Sequence, residues 1–211
     1  MTTTPPVNPE TVFTYGAPQL KFGNGASDEI GFDLSRYGGV RRGLDVLSLK
    51  VKTGISHAGL RPALAVVDPD LTLTQPAPVT ASAGMDIVCH AVESYTARWY
   101  TGGERKRPEQ RVPYCGANPI SDMWAEQAMR LLARSFRRAV RHGDDAAARG
   151  EMALAATFAG MGFGNAGVHI PHANAYPIAG QVRDFHPKGY PGHEPMVPHG
   201  MSVALTAPEA G

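Results

Sequence analysis

The chain has 211 residues, and its 20 lysines and arginines nearly balance its 19 aspartates and glutamates. A net charge of +1 supplies no basic field for nucleic acid or for an anionic membrane surface, so we expect neither of these partners and favour a small molecule. Cys89 and Cys115 lack CxxC spacing, which argues against a disulfide framework and a thiolate zinc site. The N-terminus shows no recognisable signal segment or transit peptide; we expect a cytoplasmic protein, or a mitochondrial matrix protein if the source is eukaryotic.

The chain changes character near residue 80. Before it stand short segments rich in β-branched and aromatic residues, separated by Gly, Pro and Asp: "VFTYG", "QLKFG", "VLSLKVK" and "ALAVVD". Such segments predict short strands of an α/β unit. After it, Ala-rich helical periods dominate. We therefore predict an α/β lobe over residues 1–80 followed by an all-α domain over residues 81–211.

Two helices are predicted first in the all-α part. The prolines of "PAPVTASAG" end the strand region, and a helix begins near Ala83 with Ser82 as its cap. The second helix opens at "NPISD", where Ser121 or Asp122 caps it, and it stops at Gly143 after a cationic last turn.

A third helix is predicted after Asp145, through "EMALAATFAGMG". Its end carries Gly162, Gly164 and Gly167, which spell GxGxxG, and "GNG" after "QLKF" is a shorter version of the same pattern. A phosphate-binding fingerprint needs a strand before the glycines and a helix after them. Because the segment before "GFGNAG" reads as helix, we favour helix termination and close packing there over phosphate binding.

Asp86 and His90 lie four residues apart in the first helix, within "GMDIVCHAVESY". This spacing places both on one face, within reach of one divalent ion, although a helix cap and a satisfied core histidine would also explain them. Five of the eight histidines then fall within 31 residues: His169, His172, His186, His193 and His199. Imidazole and carboxylate ligands together suit Fe(II), Zn or Mn.

Several blocks of the sequence resemble the iron-containing (group III) alcohol dehydrogenase family, in particular its hydroxyacid-oxoacid transhydrogenase branch. Three of them are similar to the metal-site blocks of that family: "GMDIVCHAVESY", "GFGNAGVHIPHANAYPIAG" and "PHGMSVAL". "FTYGAPQLKFGNGASDEIG", "LKVKTGISHAGLRPALAVVDP" and "NPISDMWA" resemble the branch as well. The resemblance implies a dinucleotide-binding lobe followed by a helical metal-binding domain.

By the same resemblance, four residues are implied as ligands of a divalent metal, Fe²⁺ in the first place and Zn²⁺ as the alternative. They are Asp86, His90, His172 and His199. The other late histidines do not occupy ligand positions, and we interpret them as exposed or supporting residues. Since Pro171 precedes a ligand and has no backbone donor, the helix that carries His172 must begin or kink there.

The chain also departs from the family pattern. A Gly-rich block for the dinucleotide phosphates and a Thr-rich stretch ending in Gly-Ser-Glu are expected in the family, and the sequence shows neither. Segments that are distant in the family meet between Arg42 and Gly43. We therefore expect an internally deleted and C-terminally truncated member, with residues 1–80 a remnant of the nucleotide-binding domain and no identifiable cofactor-binding residues.

The activity implied by the resemblance is hydride transfer from a 4-hydroxyacid to 2-oxoglutarate through bound NAD. Tyr176 stands where many family members carry a further histidine; its phenol could relay a proton, bond the substrate or only pack. Arg183 and Lys188 are candidate partners for substrate carboxylates, or solvated loop cations. We expect small hydroxyacid and oxoacid substrates and consider a homo-oligomer. The alternative hypothesis is a non-catalytic remnant that at most binds metal.

Overall fold

The computed structural model describes residues 8–37 and 61–210 of the chain. Its regular elements are, in chain order, β1 (Gln19–Phe22), α1 (Ile30–Tyr37), β2 (Leu64–Val67), α2 (Ala77–Thr96), α3 (Pro119–Arg141), α4 (Ala146–Ala166), α5 (Ile170–Gln181) and α6 (His199–Thr206). Within these ranges, no helix is both long enough and apolar enough to cross a bilayer. The predicted α/β plus all-α class is confirmed.

Within the residues that the structure describes, the small lobe contains a two-stranded parallel sheet and one α-helix. β1 pairs with β2 in a register that places Gln19 opposite Leu64 and Phe22 opposite Val67. Two of the predicted strands are therefore confirmed. "VFTYG" forms no strand, and "VLSLKVK" and the junction between Arg42 and Gly43 lie outside the described residues.

The turn between β1 and α1 is closed by the carboxylate that follows β2. Asp68 accepts hydrogen bonds from the backbone N–H of Gly25 at 3.2 Å and of Ser27 at 3.1 Å, and from Ser27 Oγ at 2.6 Å. The amides of the "GNG" turn that point at this carboxylate are thus already satisfied.

Helix α2 begins earlier than the sequence predicts. It starts at Ala77, after Pro76, and Ser82 is buried inside it instead of capping it. Proline is tolerated in the first helical turn because its missing N–H would have no partner there, so "PAP" starts the helix where we expected it to end a strand. The boundary at residue 80 thus falls within the first turn of α2, and the division into two domains stays a prediction.

The predicted ends of α3 and α4 need smaller corrections. Asn118 caps α3, since its side chain accepts from the backbone N–H of Ile120 and Ser121, so neither Ser121 nor Asp122 is the cap. The helix ends at Arg141, just before the predicted stop at Gly143. Helix α4 begins after Asp145, as the sequence predicts, and Asp145 caps it by accepting from the N–H of Ala148.

Helices α2, α3 and α4 pack into an alanine-rich core. Its buried residues are Ile87, Ala91, Ala125, Ala128, Leu131, Leu132, Ala139, Ala148, Met152, Ala155 and Ala159. Small side chains bring the helix axes close together, and the interdigitation leaves few voids. A smaller cluster of Cys89, Ala175 and Val203 lies where α5 and α6 meet α2.

The C-terminal end of α4 joins this helical part to the small lobe. The side-chain oxygen of Asn165 accepts from the Gly16 N–H at 2.9 Å, and the Gly164 carbonyl accepts from the Arg61 guanidinium at 2.9 Å. Asn165 is buried. Gly162 and Gly164 lie inside α4, and Gly167 follows it with a φ of 99°. "GFGNAG" is therefore a helix end, as predicted.

Candidate metal centre

Three of the sequence-predicted ligands converge from three helices. Asp86 lies in the middle of α2, His172 in the first turn of α5, and His199 at the first residue of α6. One ligand atom from each lies within 4.8 Å of the other two. Asp86 Oδ1 is 3.3 Å from His172 Nε2 and 3.7 Å from His199 Nε2.

Local features of the chain bring α5 and α6 to this point. Pro171 lies in the first turn of α5, which begins at Ile170, so the predicted helix start before His172 is confirmed. Gly200 lets α6 approach α2 very closely, because a Cβ on it would collide with the Ser82 carbonyl oxygen and lie 3.0 Å from Asp86 Cβ. A residue with a side chain at position 200 would push His199 away from Asp86.

Two buried polar atoms at the centre have no hydrogen-bond partner among the described residues. They are Asp86 Oδ1 and His172 Nε2, which are close enough to attract each other but do not complete a hydrogen bond. A buried polar atom without a partner normally costs about 1–3 kcal/mol. An oxygen and an imidazole nitrogen that face the same space are suitable ligands for Fe²⁺ or Zn²⁺, so the residues fit a divalent ion.

Glu93 binds the ring nitrogen of His172 that is opposite to the one facing Asp86. Glu93 Oε1 is 2.6 Å from His172 Nδ1, and Oε2 accepts from the His169 N–H at 2.7 Å. Glu93, which binds both of these groups, is only 1% exposed. Glu93 was missed at the sequence level, although it lies seven residues after Asp86 and therefore on the same helical face.

His90 lies beside the group of three rather than within it. Its Nδ1 is 3.7 Å from Asp86 Oδ2. Its ring is stacked between those of Phe163 and His172, with centroid distances of 4.0 and 4.2 Å. The role of His90 as a fourth ligand stays a prediction, and the stacking gives its ring a defined plane.

The protonation of these side chains follows from burial and from their mutual charges. Burial lowers the pKa of His90 to about 4, so its imidazole is neutral at physiological pH. Burial acts in the same direction on His172, but the Asp86 and Glu93 carboxylates outweigh it and raise the pKa of His172 to about 9. Burial raises the pKa of the Asp86 carboxyl, yet the surrounding histidines, His172 first, hold it below its ordinary value. Asp86 is thus a carboxylate.

The other predicted site residues lie around this centre. Tyr176 is on α5, with its ring centroid 6.1 Å from that of His199. Arg183 is exposed and donates to the carbonyls of Gly180 and Val182 in its own segment. Lys188 is exposed and borders an apolar groove between α2 and α6. Of these three residues, only Tyr176 lies near the candidate metal ligands.

The remaining late histidines have other surroundings. His169 Nε2 is 2.9 Å from Thr96 Oγ1, and its backbone binds Glu93. His193 is exposed, whereas the buried His186 Nε2 has no partner among the described residues.

Comparison with known proteins shows which family the chain resembles. Residues 109–210 match the profile of the "Fe-containing alcohol dehydrogenase family, C-terminal". The resemblance to the iron-containing alcohol dehydrogenases is confirmed. The chain is 51% identical over 166 residues to the mitochondrial hydroxyacid-oxoacid transhydrogenase of Rattus norvegicus; the match covers 78% of this chain and 36% of that protein. The chain thus spans about a third of the length of this relative.

Solved structures show the same fold. The crystal structure of 1,3-propanediol oxidoreductase is 34% identical to the chain with a TM-score of 0.56, and the match covers 72% of this chain and 32% of that one. A sulfoacetaldehyde reductase from Bifidobacterium kashiwanohense in complex with NAD⁺ matches 89% of this chain and 51% of its own, with a TM-score of 0.54. At 20% identity, the second likeness concerns the fold alone.

Proposed function

We propose that Asp86, His172 and His199, with His90 beside them, hold a divalent metal ion, Fe²⁺ in the first place and Zn²⁺ as the alternative. The observation that carries this proposal is the pair of buried atoms, Asp86 Oδ1 and His172 Nε2, that face each other without a hydrogen bond. Two neighbouring carboxylates, Asp86 and Glu93, also supply negative charge that a divalent cation would balance.

The chemistry that such an ion supplies when bound is Lewis-acid polarisation of a substrate oxygen. The chain's own residues prepare the place for it. His172 is held in one orientation by Glu93, and the His90 ring is fixed between two aromatic rings. Tyr176 is the proposed proton relay, because it follows His172 by one turn of α5 and its ring centroid lies 6.1 Å from that of His199.

The reaction that we propose for this site, once a nucleotide-binding segment completes it, is that of a hydroxyacid-oxoacid transhydrogenase: 4-hydroxybutyrate and 2-oxoglutarate give succinate semialdehyde and 2-hydroxyglutarate. The names of the curated relatives support this substrate class. Arg183 and Lys188 are the proposed carboxylate partners in the segment between α5 and α6. For Arg183 this requires the guanidinium to leave the two carbonyls that it binds in the structure.

The described residues do not form a binding site for the phosphates of NAD, the hydride carrier that the resemblance implies. The amides of Gly25 and Ser27 are bound by Asp68, and the glycines of "GFGNAG" belong to a helix end. This observation favours the second candidate function, a metal-binding chain without its own hydride transfer. A nicotinamide would need residues outside the described ranges.

We propose a mitochondrial matrix location for a eukaryotic chain and a cytoplasmic one otherwise. The first is supported by the relatives, which are named as mitochondrial hydroxyacid-oxoacid transhydrogenases. We propose small hydroxyacids and oxoacids as ligands, with a homo-oligomer as the assembly to test.

The metal proposal is tested by titrating the metal-free chain with Zn²⁺ in competition with a chromophoric chelator. We expect one high-affinity site in the wild-type chain and its loss in His199→Ala, whereas His193→Ala, which removes an exposed histidine of the preceding segment, should bind as the wild type does. Equal affinity in His199→Ala and the wild type would contradict the assignment.

The reaction is tested separately by measuring 2-hydroxyglutarate formed from 4-hydroxybutyrate and 2-oxoglutarate, with and without added NAD. We expect no detectable NADH binding at micromolar concentration and no product from the 211-residue chain. Restoring a relative's nucleotide-binding segment between Arg42 and Gly43 should give product, and His199→Ala in that chimera should abolish it. Product from the unaltered chain would show that it holds NAD by residues not yet identified.

A further inference from the structure

Glu93 is the most buried ionisable side chain beside the metal centre, and nothing in the proposed ligand set uses it. The residue is 1% exposed and lies in α2, one turn beyond His90. Its two oxygens are divided between two donors of one other helix, the His172 ring and the His169 backbone. A buried carboxylate needs such donors, because leaving it unpaired would cost several kcal/mol.

We propose that Glu93 is the positioning residue of the centre: it holds a proton of His172 on Nδ1 and thereby makes Nε2 the nitrogen that binds the metal. An anionic carboxylate can only accept, so the ring nitrogen that faces it must carry hydrogen. The opposite nitrogen, Nε2, is then the ring atom that faces Asp86 Oδ1 at 3.3 Å, and a divalent ion bound between them would displace the proton that Nε2 carries beside that carboxylate. This inference rests on the proposed metal site.

The second oxygen of Glu93 sets where the His172 ring lies. By accepting from the His169 N–H, it binds the residue that immediately precedes α5. A negative charge at this end of a helix is also favourable with respect to the helix dipole. One carboxylate therefore determines both the start of α5 relative to α2 and the orientation of the ring in its first turn.

Glu93→Gln separates this role from simple space filling, because glutamine has nearly the same shape but only one accepting oxygen. It can satisfy the His169 N–H or His172 Nδ1, and its amide NH₂ must face the other donor. If the NH₂ faces Nδ1, the ring moves its proton to Nε2 and loses its ligand atom. We expect Zn²⁺ to bind about 10–100-fold more weakly.

The matched control is Ser94→Ala, at the next position of α2. Ser94 is completely buried, and its hydroxyl makes no hydrogen bond within the described part of the chain. We expect this variant to bind Zn²⁺ like the wild type. Glu93→Asp keeps the charge but is shorter by one methylene, so it should recover part of the affinity lost in Glu93→Gln and also serves if Glu93→Gln does not fold.

Nitrogen-15 NMR of the zinc-loaded chain shows which ring nitrogen of His172 is protonated and which binds the metal. We expect His172 to show a protonated Nδ1 and a metal-bound Nε2 in the wild type, and this pattern to be lost or mixed in Glu93→Gln. Wild-type affinity in both Glu93 variants, or zinc on Nδ1 of His172, would overturn the inference while leaving the metal site intact. A wild-type chain that binds no metal would overturn the proposed function and this inference together.

Discussion

Helix α2 has two faces that are stabilised in different ways. Toward α3 and α4 it presents Ile87 and Ala91 to a cluster of buried apolar side chains. Toward α5 and α6 it presents Asp86 and Glu93, and there Asp86 Oδ1 remains without a hydrogen bond in the described structure. The first face is mainly apolar, whereas the second carries carboxylates and imidazoles whose unpartnered atoms we propose to be completed by a cation. Stability and binding should therefore respond to different substitutions.

The largest expected effect is on the apolar face. Leu132 is 4% exposed, and Leu132→Ala should lower the free energy of unfolding by about 2–5 kcal/mol, because it leaves a cavity among closely packed helices. Urea denaturation measures this loss. Leu205→Ala, at a residue 64% exposed on α6, should change the same free energy by less than about 0.5 kcal/mol.

Zinc affinity of the folded Leu132→Ala protein should remain that of the wild type, since Leu132 belongs to the α2–α4 cluster and not to the one beside the ligands. A loss of affinity in this variant as large as that in His199→Ala would show that the two faces are not independent.

A smaller effect is expected at the closest approach between α2 and α6. Gly200→Ala should cost about 1–3 kcal/mol of stability through overpacking, and it should also weaken zinc binding because it displaces His199. Calorimetry and the chelator competition measure the two effects. Gly160→Ala in α4 is the control: its Cβ meets no atom within 4 Å, so the change should stabilise the chain by about 0.4–1 kcal/mol.

If Gly200→Ala binds zinc as tightly as Gly160→Ala does, the small residue at position 200 serves packing alone. His199 would then not depend on the distance between the two helices.

The smallest effect is expected at Glu10. Both oxygens of this carboxylate have hydrogen-bond partners, unlike Asp86 Oδ1. Glu10 accepts from the N–H groups of Lys106 and Val12 and pairs with Arg111. These donors, Lys106 first, lower the pKa of Glu10 from 4.5 to about 2. Because the folded pKa is the lower one, Glu10 stabilises the chain at neutral pH, and this contribution is lost as the pH falls from about 4.5 toward 2.

The measurement is the difference in unfolding free energy between the wild type and Glu10→Gln as a function of pH. The wild type should be the more stable at pH 7, and the difference should shrink below pH 4.5. The exposed Glu109 of the same loop gives the control Glu109→Gln, for which a small difference is expected. A constant difference for Glu10→Gln from pH 7 to 3 would contradict the assignment of the pKa.

Local chemistry predicted most of the helices. The acidic pair Asp144-Asp145 before α4 and the apolar period of α3 act within a few residues, so these two helices could be predicted without the fold. The start of α2 was wrong because "PAP" fits both a strand end and a first helical turn, and only packing decides between them. "VFTYG" has β-prone residues but no strand, since β-propensity requires a neighbouring strand to pair with.

The candidate site was predictable only in part. Spacing indicated that Asp86 and His90 share a face, but it could not bring His172 and His199 to them, because those contacts join positions far apart in the chain. The resemblance supplied that link. Neither approach singled out Glu93, whose importance depends on which backbone N–H and ring nitrogen α5 places against it.

The last turns of α4 contact both the small lobe and the candidate metal site. Asn165 binds the segment that leads into β1, and Phe163, two residues earlier in the same helix, stacks on His90. Gly16 and the His90 ring are therefore joined through less than one turn of a single helix, so the small lobe and this imidazole share one support.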